Sequence, residues 1–343
     1  MIRPAQLADT LRSVGRPTVM LADEILVAPF CGRVLAVGPG GGENALWLNP
    51  AFEEAATAED LLSGTGWLNH GGDRIWISPE IETHVADPQR MMESYSVPAA
   101  VDPGAYEIVS QADDRVTFGN AATVTFMRAA QDVHLEWAVT VSHLAGAPVE
   151  PGRDVLAAGY HTRTTLRHVG HLQPGIHPAI WRLLQVRGGG MITAMTKGRT
   201  TPMTFFGDPV HDVDETGVRC RVSNPVSSKI GIAAAASRGA FTCREDHSDH
   251  SDLIVRRFAL DPDALYTDVP CSQPDARGYA VQVYVDDGAL GGFGELEHHC
   301  PALNVESGID EVTDQCDTWV FRGPGSSIDH VQAAVESATD PTG

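Results

Sequence analysis

Residues 66–80, Gly-Trp-Leu-Asn-His-Gly-Gly-Asp-Arg-Ile-Trp-Ile-Ser-Pro-Glu, gather Trp67, Asn69, His70, Asp73, Arg74, Trp76 and Glu80 around a Gly71-Gly72 turn. That mixture suits a sugar, whose C–H surfaces lie on flat aromatic faces and whose hydroxyls meet charged forks. Paired glycines reach backbone angles closed to other residues, so the chain can turn sharply before Asp73. From Asp73 to Ser78 the alternation predicts a short strand, ended by Pro79. Strand period places Arg74, Trp76 and Ser78 on one face, with Ile75 and Ile77 on the other. The competing reading is a tryptophan in a sandwich core, with Arg74 paired to Asp73 or Glu80.

A second segment, Gly292-Phe-Gly-Glu-Leu-Glu-His-His-Cys-Pro301, puts Glu295, Glu297 and His299 on one strand face and Leu296 and His298 on the other. Carboxylates two residues apart on a strand lie roughly 6 to 7 Å apart, close enough to couple and to hold different protonation states. An exposed strand edge would need no such function. Histidine is the third clue, with 14 in the chain. In Tyr160-His-Thr-Arg-Thr-Thr-Leu-Arg-His168, residues His161, Arg163, Thr165 and Arg167 share one face and could supply a proton donor and hydroxyl-binding arms. A hairpin with the strand expected at 178–186 would bring Trp181 and Gln185 near them.

The elements that must position these residues are short strands. Apolar or alternating runs at 17–30, 32–38, 44–48, 105–109, 115–118, 122–127 and 133–141 are separated by turn signals, including Gly119-Asn120. Further strands are expected at 161–168, 178–186, 191–196, 218–222, 230–235, 252–260, 279–285, 293–299 and 317–322. A helix is expected at 4–14, where Leu7, Leu11 and Val14 share a stripe behind Pro4. With 34 Gly and 22 Pro in 343 residues and few helices to cross between parallel strands, an all-β sandwich is expected. It would form a single domain over 1–330, with a C-terminal tail over 331–343 and a short helix beginning near 327.

Forty-five acidic against 24 basic residues leave a net charge of −21, which disfavours nucleic acid and anionic membrane surfaces as partners. The six cysteines form no Cys-x-x-Cys pair, and reduced thiols in a cytoplasmic protein are expected. The run Asp246-His-Ser-Asp-His-Ser-Asp252 could bind a metal but reads first as a solvated loop. No dinucleotide-binding, phosphate-loop or nucleophile-elbow motif occurs in its required context, and no cofactor is expected.

Gly71-Gly-Asp-Arg-Ile-Trp-Ile-Ser-Pro-Glu80 resembles the Gly-Gly-x-Arg-hydrophobic-Trp-x-x-Pro-Glu signature of a bacterial branch of the galactose mutarotase-like (aldose 1-epimerase-like) superfamily. The blocks at 160–168, 180–186 and 294–303 follow in that branch's order, so the resemblance spans roughly residues 20–322. It implies a β-supersandwich with a concave sugar-binding face. There Glu297 or Glu295 would be the base on the anomeric hydroxyl, and Arg74 a hydroxyl clamp. The His-x-Tyr-Phe-Asn block of mutarotases proper is absent, so His161, His168 or His70 would supply the acid. In the last block His298, His299 and Cys300 replace small polar residues. Together these readings give a binding face of Asn69, His70, Asp73, Arg74, Trp76, Arg163 and Trp181, with Glu297, Glu295 and His161 as catalytic candidates. The partner would be a small sugar or glycoside. Two rival readings are a non-catalytic sugar-binding or sensor protein, and a metal-dependent lyase or epimerase using Glu295, Glu297, His298, His299 or His70.

Overall fold

The computed structural model describes residues 1–223 and 225–338. Two antiparallel sheets face one another. The first has nine strands in the order Val19–Leu21, Ile25–Ala28, Arg33–Val37, Asp73–Ser78, Ala179–Arg187, Phe293–His299, Val281–Val285, Ser228–Ile232 and Met203–Phe206. The second has ten: His211–Val213, Gly217–Arg221, Met191–Thr196, Ser237–Asp246, Ser251–Phe258, Glu311–Gly323, Leu156–Val169, Gln131–His143, Arg115–Phe126 and Glu107–Ala112. This is the all-β sandwich of two antiparallel sheets that the sequence leads one to expect.

Strands of the second sheet alternate buried and exposed residues, as expected where one face packs and the other meets water. In the first sheet, Asp73–Ser78 and Phe293–His299 are buried throughout, because both faces are covered. Between the sheets lies a core that includes Ile77, Leu135, Ile180, Leu184 and Leu296. A buried polar network also bridges the sheets there. Asp73 accepts hydrogen bonds from Tyr160 Oη at 2.9 Å and Arg256 Nη2 at 3.0 Å. Arg182 Nε donates to Asp314 at 3.0 Å, and its guanidinium also reaches Thr164 Oγ1.

The first helix, Pro4–Ser13, forms where expected and buries Leu7 and Leu11 beside Leu26, Leu35 and Phe52. Several expectations need correction. Gly119-Asn120 is no turn; one strand runs through Arg115–Phe126, and the Asn120 amide donates to the Ala100 carbonyl. Residues 44–48 form only isolated bridges, while Ser237–Asp246 is an unexpected ten-residue strand. Strands Leu156–Val169 and Ala179–Arg187 are consecutive yet lie in different sheets, so the expected hairpin does not form. The C-terminal helix, Gly325–Ser337, buries Ile328, Val331 and Val335 against Leu253 and Phe321. Residues 331–337 of the expected tail are therefore helical, and 339–343 lie outside the described residues. All six cysteines are free. Among the described residues, no helix is long and apolar enough to cross a membrane.

Candidate functional site

Gly71 and Gly72 both have positive φ, 93° and 75°. A Cβ on Gly72 would stand 2.2 Å from the Val34 carbonyl oxygen, so only glycine fits the turn that launches strand Asp73–Ser78. That strand aims Asp73 at the second sheet and turns Arg74 and Trp76 to the opposite face. Beyond Pro79, Glu80 opens a one-turn helix, Glu80–Thr83. Register then assembles the floor. Trp76 lies opposite Trp181, Trp181 opposite His299, and Leu183 opposite Glu297. Glu295 lies between Gln185 and Tyr284, and Tyr284 faces Lys229. Five adjacent strands thus present one polar surface away from the second sheet.

This surface is the base of a cleft of about 510 Å³. Arg74, Glu80, Lys229, Glu295 and Glu297 line it with Trp76 and Trp181, while Trp67, Tyr95 and the exposed Met92 and Leu290 stand around it. Lys229 Nζ is 3.0 Å from both Glu80 Oε2 and Glu297 Oε2, and 4.3 Å from the centre of a Trp181 ring. Trp181 Nε1 donates to the same Glu297 oxygen at 2.8 Å. Glu295 Oε1 accepts from Arg74 Nη2 at 2.8 Å and Gln185 Nε2 at 2.9 Å. The Arg74 guanidinium lies 4.3 Å from a Trp76 ring centre, and its Nε and Nη1 make no hydrogen bond.

Charge in this floor is tightly balanced. Burial pushes the Glu297 carboxyl up to about 8; Lys229 opposes that rise, and Glu295 and Glu80 add to it. Burial also raises Glu80 and Asp268 against the pull of Lys229. Burial would discharge Lys229, but Glu297, Glu80 and Asp268 outweigh it and keep the ammonium charged. Beneath Trp76, Asp102 accepts from Trp67 Nε1 and Trp76 Nε1, each at 2.9 Å, and pairs with Arg33 at 2.6 Å. Burial works against the Asp102 carboxylate, but Arg33 and Arg74 hold its pKa at about 2.

Of the residues singled out from sequence, Trp67, Arg74, Trp76, Glu80, Trp181, Glu295 and Glu297 meet in the cleft. The others lie elsewhere. Asp73 points between the sheets to Arg256 and Tyr160. His70 is buried against Phe30 and Phe52, neither ring nitrogen has a partner, and burial and Arg33 lower it to about 3. Asn69 reaches the Leu290 carbonyl at 3.4 Å without lining the cleft. His161 and Arg163 sit on the outward face of the second sheet, because Leu156–Val169 belongs to that sheet; His161 pairs there with Asp317 at 2.6 Å. His168 stands on the same strand, 3.5 Å from Asp310.

Among the described residues, no histidine lines the cleft. His84 packs on Trp76 and His299 stacks on Trp181, each wholly buried and held neutral chiefly by desolvation. His298 points the other way, to Asp314 at 3.0 Å. Lys229, Tyr95 and Asp102 were not singled out from sequence. Lys229 did carry a signal: it is one of only two lysines in a chain rich in arginine, set in the apolar strand Ser-Lys-Ile-Gly-Ile.

His247, His250 and Asp252 form a group that could close on a metal ion, at the turn between two strands of the second sheet. Asp252 is not in a solvated loop but buried, and it already pairs with Arg187 at 3.0 Å and Arg322 at 2.6 Å. A cation there would have to displace two guanidinium groups.

The sequence profile described as "Family of unknown function (DUF6786)" matches residues 20–337. No curated protein matches the chain. Among solved structures, a candidate aldose 1-epimerase from Klebsiella pneumoniae subsp. pneumoniae MGH 78578 is similar at 11% identity and a TM-score of 0.50, covering 95% of this chain and 84% of its own. A candidate aldose 1-epimerase from Escherichia coli K12 has 10% identity and a TM-score of 0.47, covering 88% of this chain and 97% of its own. Galactose 1-epimerase from Lactobacillus acidophilus NCFM has 9% identity and a TM-score of 0.45, covering 90% and 94%.

Proposed function

We propose that this chain, which belongs to the DUF6786 family of unknown function, is a carbohydrate-active protein that catalyses acid–base chemistry at the anomeric carbon of a sugar, as an aldose 1-epimerase-like isomerase. The observation that carries this reading is the setting of Glu297. It is a buried carboxyl on a cleft floor beside two tryptophans, and Trp181 and Lys229 both bond its Oε2. Its Oε1 takes no hydrogen bond from the described residues, so that oxygen is free to accept a proton from a ligand.

A pyranose would lay a C–H face against the aromatic wall, with the Arg74 guanidinium of the cleft floor turned to its hydroxyl oxygens. Glu297 would take the proton of the anomeric hydroxyl as the bond from C1 to the ring oxygen breaks. The ring oxygen gains a proton, the open aldehyde rotates, and closure onto its other face gives the other anomer. A base with a raised proton affinity suits this step, since it must accept a proton and return it each cycle.

The test is polarimetry or NMR of anomer interconversion at pH 7 with freshly dissolved α-glucose, α-galactose and related aldoses. Acceleration above the spontaneous rate is expected for at least one of them. Saturable binding without acceleration would reassign the cleft to a sugar-binding or sensor role.

A further inference from the structure

We infer that Glu80 is the proton donor to the sugar ring oxygen, paired with Glu297 across the Lys229 ammonium. This rests on the sugar reading above and supplies the acid that no histidine in the cleft provides.

Three observations support it. First, position: Glu80 lines the cleft, and its Oε2 and Glu297 Oε2 each lie 3.0 Å from Lys229 Nζ. The two oxygens are therefore no more than 6.0 Å apart. An acid and a base serving the ring oxygen and the anomeric hydroxyl need such closeness, because both oxygens are bonded to C1. Second, charge: Glu80, Glu297 and Asp268 crowd one ammonium, while Arg74 is engaged by Glu295. Three carboxylates around a single cation cannot all stay ionised, so the cluster retains a proton. Asp268 is a poor holder of it, since it accepts from the Glu80 backbone N–H at 2.6 Å and from Gln282 at 2.7 Å and does not line the cleft. That leaves the proton shared between Glu80 and Glu297; the form that turns over is the one that carries it on Glu80. Third, support for the product: Glu80 Oε1 lies 3.0 Å from Tyr95 Oη, so a carboxylate left after proton transfer is met by a hydroxyl on one oxygen and an ammonium on the other. The remaining neighbours, His84 and His299, are neutral and buried beneath the tryptophans.

The step balances. Glu297 gains the proton of the anomeric hydroxyl, and C1 becomes a carbonyl. The electron pair of the broken C1–O5 bond goes to O5, which takes the Glu80 proton. Ring closure on the other face runs the same transfers backwards and restores both groups.

The experiment measures anomer interconversion, and sugar binding by tryptophan fluorescence, for wild type, Glu80→Gln, Glu80→Asp and Glu80→Ala with added acetate. Glu80→Gln should lose about 10²- to 10⁴-fold in turnover with little change in affinity. Glu80→Asp should retain part of the rate, and acetate buffer should restore part of it to Glu80→Ala. Turnover in Glu80→Gln within a few-fold of wild type, with wild type active, overturns the assignment of Glu80 alone. A wild type inert on every aldose overturns the sugar isomerase reading and this one with it. Should the variants fail to fold, carboxyl NMR of wild type labelled in glutamate decides. Two glutamates titrating above the ordinary carboxylate range support the pair, and one or none doing so overturns it.

Discussion

Lys229 lies 3.0 Å from Glu297, and both side chains are almost completely removed from solvent. A buried ammonium and a buried carboxyl in contact can stabilise each other only while both remain, since removing either leaves the other without its compensation. Here the same ammonium also serves Glu80, so its loss would be felt by a group of carboxylates rather than one.

Lys229→Met should therefore cost about 3–5 kcal/mol of stability at neutral pH. The penalty depends on pH. Without the cation, Glu80, Asp268 and Glu297 bind protons more tightly folded than unfolded. Stability from such raised groups is present below their unfolded pKa and is lost as pH rises through the folded value. Urea midpoints should thus show a smaller penalty at pH 5 than at pH 8; equal penalties would contradict the shared-ammonium picture.

Glu297→Gln keeps the shape of the side chain and removes the base. Turnover should fall by about 10² or more while sugar affinity changes little. In wild type the rate should rise with pH as the Glu297 carboxylate, pushed up to about 8, becomes available, and fall at higher pH as the Glu80 acid loses its proton. A flat profile between pH 5 and 8, or a Glu297→Gln protein that turns over normally, would remove Glu297 from the role.

Arg74→Lys keeps the charge but loses the planar fork that lies over Trp76 and bonds Glu295. Affinity for the sugar should weaken about tenfold, equivalent to about 1.4 kcal/mol, with a smaller effect on turnover. Fluorescence titration reads this directly, and unchanged affinity would show that the guanidinium does not touch the ligand.

Asp102→Asn leaves the buried Arg33 uncompensated and weakens the anchor of Trp67 and Trp76. A loss of about 3–5 kcal/mol is expected in denaturant unfolding near neutral pH. Asp102 has a depressed pKa, so its contribution is fully present above the ordinary value of 3.8 and fades as pH falls through about 2. The difference between wild type and variant should narrow in strong acid; a difference that widens there would break the argument.

Where a local rule decides, the chain could be read in advance. The period of two placed Arg74 with Trp76, and Glu295 with Glu297 and His299, on the faces they occupy. The glycine pair marked a turn that sterics require. What local pattern cannot convey is which strands become neighbours. Leu156–Val169 and Ala179–Arg187 look like a hairpin by proximity, yet the chain crosses between sheets there, taking His161 and Arg163 away from Trp181. Alternation also ranks side chains by face, without saying which face meets the other sheet. Asp73 was grouped with Arg74 by adjacency, and the pleat sends it to Arg256 instead. Lys229 and Asp102 come to the site only through long-range pairing and packing.

The floor draws Arg74, Trp181, Lys229 and Glu297 from four different strands, with more than two hundred residues between the first and the last. A chain emerging from the ribosome thus carries Trp76, Glu80 and Trp181 long before Glu295 and Glu297. Contacts this distant in sequence form late, after the entropy of closing long loops has been overcome. A complete cleft floor is therefore a property of the finished polypeptide, and the sugar affinity proposed for it should appear in refolding only when the first sheet closes.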